Sequence, residues 1–206
     1  VVASRPVGPA VVSRRGPGQG HLPRTAGGDA QVGHGRGRLE IGLGTGINID
    51  PSYDMMGIPN WDGKERVPRF KEYVEVIDGL LSKEVSSFSG EYFTINEAVV
   101  KPRPVQQPRP PIVIAALGPV MVRFAARMAD TWNTMSFAGT FDEQLAEIGA
   151  KVDVFNEACA KRGRDPGDVR LSYHMFDPKA RSSGGAFSYY ASVDAFEEMA
   201  GRVMEA

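Results

Sequence analysis

Pro110-Pro111-Ile112-Val113-Ile114-Ala115-Ala116-Leu117-Gly118-Pro119 opens the stretch on which the fold turns. It runs on through Val120-Met121-Val122-Arg123-Phe124-Ala125-Ala126-Arg127-Met128-Ala129-Asp130 to Thr131-Trp132-Asn133-Thr134-Met135-Ser136. Ile112 to Ala116 is a short, unbroken apolar run bounded by Pro and Gly, the pattern of a parallel strand buried on both faces. Leu117-Gly118-Pro119 then forms a tight turn, with Pro where a first helical turn tolerates it. The spacing of Val120, Phe124 and Met128 predicts an amphipathic helix that ends at Asp130. Thr131 to Met135 reads as the next strand. The segment is one strand-helix-strand unit with a glycine turn at the carboxyl end of its first strand. Ligands of parallel sheets sit at that end, and bare amides at a helix start suit an anion such as phosphate.

Working outward, 206 residues suffice for one domain or for part of a larger α/β fold. A formal net charge of -1 gives no general attraction to nucleic acid or to an anionic membrane. No apolar run approaches the roughly 20 residues needed to cross a bilayer, and no signal-peptide core is present. The single cysteine, Cys159, permits no internal disulfide and reads as a packed helix residue, compatible with the cytoplasm as location.

Residues 1–37 differ from the rest. Gly, Pro, Ala, Val and Arg dominate, with no aromatic residue, Ile, Met, Lys or Glu. Such a segment buries too little apolar surface to offset its ordering entropy, so disorder is expected. Its composition is that of a GC-rich gene read out of frame, or of a flexible tail. Its arginines are too scattered for a nucleic-acid-binding arm. Organised sequence begins with the alternating run Arg38 to Gly44, a strand, closed by Gly44-Thr45-Gly46. About twenty residues without clear periodicity follow, a lid candidate. A helix is predicted from about Arg66 to Ser82, with Val67, Phe70, Val74, Ile77 and Leu81 inward. Phe88 to Thr94 reads as a small hairpin, and Lys101 to Pro110 as a stiff, extended connector. Beyond the central unit, Thr140 or Asp142 caps a helix to about Lys161, with Leu145, Ile148, Val152, Phe155 and Cys159 inward. Val169 to Phe176 is a further strand. Asp177 to Ser192 is loop-like, and Val193 to Glu205 a helix with Phe196, Met199 and Val203 on one side.

Several pieces taken in order carry a resemblance: Gly-Arg-Leu-Glu-Ile-Gly-Leu-Gly-Thr-Gly at 37–46, Glu-Arg-Val-Pro-Arg-Phe-Lys-Glu-Tyr-Val-Glu-Val-Ile at 65–77, Phe-Ser-Gly-Glu-Tyr-Phe at 88–93 and Lys-Pro-Arg-Pro-Val-Gln at 101–106. With Pro110 to Pro119 and Ala-Arg-Met-Ala-Asp-Thr-Trp-Asn-Thr at 126–134, they resemble the luciferase-like monooxygenase family over residues 38–206. The resemblance implies an α/β fold, a partial (β/α)8 TIM barrel of about strands four to seven with a parallel sheet and outer helices. It implies a flavin-dependent oxidoreductase that oxygenates a small organic substrate with reduced FMN. The alternatives are hydride transfer with the deazaflavin coenzyme F-420, or an inactive remnant, since the other strands and the family's usual acid-base His are not seen.

Carried over by position, Ala115, Ala116, Leu117, Gly118 and Pro119 resemble the segment that holds the cofactor phosphate through backbone amides. Gly44, Thr45 and Gly46 resemble the segment that passes beside the flavin ring system. Some deazaflavin enzymes of the family place Glu directly after the Gly-Thr-Gly; here that position is Ile47. A flavin reductase as partner and a homodimer in the intact form are further implications of the resemblance. No catalytic residue is named. His174 is placed near a strand end, where an acid or base could stand, while packing suffices for Trp132 and Asn133. Asp50, Asp54 and Asp62 are spread along a loop with no adjacent His, so no metal site is expected.

Overall fold

The computed structural model describes residues 11–14, 37–175 and 192–206. They fall into two units, Val1–Ile112 and Val113–Ala206.

In the first unit, β1 (Val11–Arg14) pairs antiparallel with β2 (Leu39–Gly44), Val11 opposite Gly42 and Arg14 opposite Leu39. Four residues of the 1–37 segment thus depart from the expectation of disorder. The β-branched pair Val11-Val12 suits a strand, and β2 provides an edge for it. Apart from Gly37, the remainder of that segment lies outside the described residues. The start of β2 is held by a side chain acting as a strand neighbour. The Leu39 N–H donates to Gln106 Oε1 at 3.1 Å, and Gln106 Nε2 donates to the Leu39 carbonyl at 3.0 Å. Two positions on, the Ile41 N–H reaches the Pro111 carbonyl at 2.9 Å.

The stretch after β2 contains a single helical turn, α1 (Ser52–Met55), and leads into α2 (Gly63–Ser82). Helix α2 starts three residues before the predicted point because Asp62 caps it. Its carboxylate accepts from the Lys64 and Glu65 N–H groups at 2.9 and 3.0 Å. The buried positions are Arg66, Phe70, Val74, Val76 and Gly79, so the inward face is rotated from the one expected. Gly79 lies against Ser86, where an added Cβ would come within 2.7 Å of the hydroxyl. The expected hairpin is present as β3 (Ser86–Ser89) and β4 (Thr94–Ala98), antiparallel with an irregularity between Ser86 and Phe88.

Strand β5 (Ile112–Ala115) carries the chain into the second unit. There it pairs in parallel with β6 (Thr131–Thr134), which pairs in parallel with β7 (Arg170–Tyr173), so that Ile114, Trp132 and Leu171 stand side by side. Alternation divides the sheet. Ile112, Ile114, Trp132 and Thr134 are buried on one face, while Val113, Ala115 and Asn133 on the other are more open. The buried face receives the helices: Trp132 stacks on Phe155 of α4 (Phe141–Ala160), centroids 4.8 Å apart and planes at 12°.

Helix α3 (Pro119–Met128) buries Met121, Val122, Phe124, Ala125 and Ala126. Val120, expected inward, is half exposed, because the helix presents the adjacent row to the core. Its last turn is fastened by Arg164, whose guanidinium donates to the Ala126 and Ala129 carbonyls at 2.8 Å each. At α4 Thr140 is the cap, in a reciprocal box with Glu143. Gln144 and Ala158 join Ile148, Phe155 and Cys159 as buried residues there, and Leu145 does not. A 3-10 turn (Pro166–Asp168) precedes β7. The expected loop 177–191 lies outside the described residues. Helix α5 (Val193–Glu205) has the expected bounds, but none of its residues is buried.

Candidate functional site

The turn from β5 to α3 leaves the start of a helix open. Gly118 is the cap position of α3, and no side chain caps it. Pro119 has no N–H, the Ala116 N–H is committed to the Asn133 carbonyl at 2.9 Å, and that of Met121 bonds back to the Gly118 carbonyl at 3.0 Å. The amides left without an acceptor among the described residues are those of Leu117, Gly118 and Val120. They gather at the positive end of the helix dipole. A Cβ on Gly118 would meet nothing within 4 Å, so the turn opens onto free space. Ala115 stands next to it on the open face of the sheet, with Asn133 beside it in register. The Asn133 amide is held by Ser172 Oγ at 2.9 Å, and Trp132 Nε1 anchors the turn from behind through the Ala116 carbonyl at 3.1 Å. Of the sequence-expected residues, Ala115 to Pro119 are therefore together. His174, just past β7, keeps the ladder through its N–H to the Thr134 carbonyl at 2.8 Å and is exposed.

The loop that leaves β6 is held by a buried polar network that the sequence did not announce. The Ser136 hydroxyl, fully buried, bonds to Glu147 and also accepts from the Ala138 N–H at 3.0 Å. Lys151 bridges Glu147 at 2.6 Å and the Met135 carbonyl at 2.7 Å. Burial works to raise the Glu147 pKa, but Lys151 and Ser136 outweigh it and hold the carboxyl below its ordinary range. Tyr173 donates to Gln144 Oε1 at 2.9 Å, tying β7 to the same helix. These groups satisfy one another, and the network sets loop geometry.

Gly44, Thr45 and Gly46 belong to the first unit. Gly46 has φ +70°, and a Cβ there would fall 2.0 Å from the Tyr53 hydroxyl, so two independent demands require glycine. Tyr53 in turn lies under the Arg66 guanidinium, 5.2 Å from ring centroid to charge. Arg66, only 6 % exposed, donates to the Trp61 carbonyl at 2.6 and 3.0 Å and to the Asn60 side chain. Arg69 lies 4.5 Å from the centroids of both Trp61 and Tyr92. The lid candidate is thus cross-braced by a buried cation. A signal was present: Arg66, Phe70 and Val74 share one helical stripe, and a charge on an apolar stripe announces a guanidinium with partners waiting.

Among the described residues no three His, Cys, Asp or Glu side chains are grouped to hold a metal ion, and no helix is long and apolar enough to cross a membrane.

Known proteins sharpen this picture. Residues 34–176 match the family model described as luciferase-like monooxygenase. An F420-dependent glucose-6-phosphate dehydrogenase of Beutenbergia cavernae is 31 % identical over 147 residues, which is 69 % of this chain and 41 % of that protein. Pyrimidine monooxygenase RutA of Klebsiella pneumoniae is 29 % identical over 158 residues, 75 % of this chain and 41 % of the relative. The chain thus spans about 41 % of the length of these relatives. Among solved structures, monooxygenase RslO1 from Streptomyces bottropensis superposes with a TM-score of 0.56 at 23 % identity, over 83 % of this chain and 50 % of that one. An F420-dependent secondary alcohol dehydrogenase superposes with a TM-score of 0.53 at 22 % identity, over 64 % and 38 %. The α/β class and partial-barrel architecture expected from the sequence agree with these matches, and the chain belongs to the luciferase-like monooxygenase family.

Proposed function

We propose that this chain is the phosphate-anchoring portion of a flavin-dependent oxidoreductase that oxygenates a small organic substrate with reduced FMN. The observation that carries the reading is the uncapped start of α3, where Leu117, Gly118 and Val120 offer three amides beside open space. A phosphate fits this donor set, which has no carboxylate or side-chain acceptor of its own to compete for the amides. When bound, the reduced cofactor supplies the two-electron redox chemistry. The chain's own part is to grip the phosphate at the Leu117, Gly118 and Val120 N–H groups, with Asn133 and Trp132 fixing the turn. In the first unit, Gly44 adds no side-chain bulk where a flat ring would approach, while the space beside Gly46 is already taken by Tyr53.

A second reading, hydride transfer with the deazaflavin F420, is favoured by the dehydrogenase relatives and opposed by Ile47 after the Gly-Thr-Gly. Titration of the protein with FMN, F420 and phosphate-free riboflavin, followed by absorbance change, tests both. FMN is expected to bind at least about tenfold more tightly than riboflavin, the equivalent of one charge-assisted contact. Gly118→Asp is the sharper probe. Its carboxylate would cap α3 from within and repel the phosphate, so FMN binding is lost while the melting temperature holds or rises. Equal binding of FMN and riboflavin, or undiminished FMN binding by G118D, would refute the phosphate role. Tighter binding of F420 than FMN would select the second reading.

A further inference from the structure

We propose that Arg66 and Tyr53 of the first unit form a binding site for the carboxylate of a small organic acid with an apolar body. Arg66 is 6 % exposed, and two of its guanidinium nitrogens are committed. Nε and Nη2 both donate to the Trp61 carbonyl, and Nη2 donates also to the Asn60 side chain. Nη1 has no acceptor among the described residues, and no Asp or Glu there pairs with this guanidinium. Glu65, its neighbour in the chain, is held by Arg69 at 2.6 Å, and the Asp62 carboxylate by the amides it caps. A buried positive charge that no fixed anion answers is costly until one arrives.

The unused nitrogen and the Tyr53 hydroxyl meet at Gly46. The point where a Gly46 side chain would begin lies 2.0 Å from the Tyr53 hydroxyl oxygen and 3.9 Å from Arg66 Nη1, so both polar atoms flank one spot. Tyr53 is as buried as Arg66, and its hydroxyl has no hydrogen-bond partner among the described residues. Neither atom is sealed in, since among the described residues only Thr134 Oγ1 is both wholly enclosed and without a partner. One oxyanion therefore answers two donors, a guanidinium N–H and a phenol O–H. A single negative charge is the match, because the next cation, Arg69, is already paired with Glu65. The apolar body follows from the surroundings. Asn60, which accepts from Arg66 Nη2, also donates to the Asn48 carbonyl at 2.8 Å, and so ties the segment beyond Gly46 to the guanidinium. That segment shows Ile47 and Ile49 to solvent, Ile49 81 % exposed, an apolar surface for the guest's hydrocarbon part.

The test titrates the whole chain with hexanoate and its neutral counterpart hexanamide, by calorimetry and by the NMR shift of the Trp61 indole N–H. Hexanoate is expected to bind saturably and at least about tenfold more tightly than hexanamide. Tyr53→Phe keeps the ring under the guanidinium and removes only the hydroxyl, so it is expected to weaken hexanoate about tenfold while the melting temperature holds. Arg66→Gln is expected to abolish binding, with circular dichroism melts reporting whether it folds. Gly118→Asp, which disables the amide turn, is expected to bind hexanoate as the parent does, so this site and the phosphate reading stand or fall separately. No saturable binding, equal binding of the two probes, undiminished binding by Y53F, binding that survives R66Q or loss of binding in G118D would overturn the proposal.

Discussion

Glu72 shows how much one side chain organises. Its carboxylate accepts the N–H groups of Glu91, Tyr92 and Phe93 at 2.8, 2.9 and 3.0 Å, so three consecutive amides at the hairpin tip converge on one residue of α2. Gly90 is required beside it, since a Cβ there would lie 2.3 Å from a carboxylate oxygen. Burial acts to raise the Glu72 pKa, but the three amides and Arg69 together prevail and lower it from 4.5. A depressed folded-state pKa adds stability above the unfolded value, and that increment disappears as pH falls through the folded one. Glu72→Ala is therefore expected to lower stability by about 1 kcal/mol at pH 7, a modest value because water screens this only part-buried carboxylate, and by less in acid, measured by urea melts across pH 3 to 7. Gly46 supplies a second test at this scale. Gly46→Ala is expected to destabilise by more than 1 kcal/mol, since it combines strain at positive φ with collision at Tyr53. In a Tyr53→Ala background the collision vanishes and only the backbone strain remains, so the two changes should be non-additive in denaturant melts.

Among the elements, α3 differs at its two ends: the amides at its start have no acceptor among the described residues, while carbonyls at its finish are bonded. Arg164 serves the finish by bonding two carbonyls at once, a fork that lysine cannot copy. Arg164→Lys is thus expected to lower the melting midpoint nearly as far as Arg164→Ala, a loss of about 1 to 3 kcal/mol in each case. Periodicity and punctuation made most element positions legible in advance. Pro110-Pro111 and Gly118-Pro119 bracket β5 and open α3, and Thr140 with Glu143 marks the start of α4. Facing was harder. The spacing of Val120 and Phe124 puts both on one apolar stripe, yet Met121 and Val122 take the core with Phe124, because an apolar row on each side of the stripe leaves its phase open. The strand-to-helix turn itself was legible from Gly-Pro after an apolar run. The brace of Tyr53 and Arg66 on Gly46 was not, since it joins residues through a loop with no repeating pattern.

Across the molecule, the two units are internally cohesive in different ways. The first relies on charge held by amides and rings at Glu72, Arg66 and Arg69. The second rests on an aromatic stack and close-packed Ile112, Ile114, Phe155 and Cys159. Cys159 is fully buried, and burial pushes its thiol pKa up, so it is expected to stay unreactive toward Ellman's reagent in native buffer and to react in denaturant. Rapid labelling of the native protein would show that α4 opens easily. The chain contains two tryptophans, half-buried Trp61 beside a cation in the first unit and fully buried Trp132 against Phe155 in the second. Each half consequently owns a private fluorophore in a contrasting medium. Emission from Trp61→Phe and Trp132→Phe proteins would follow the melting of either half without any added dye.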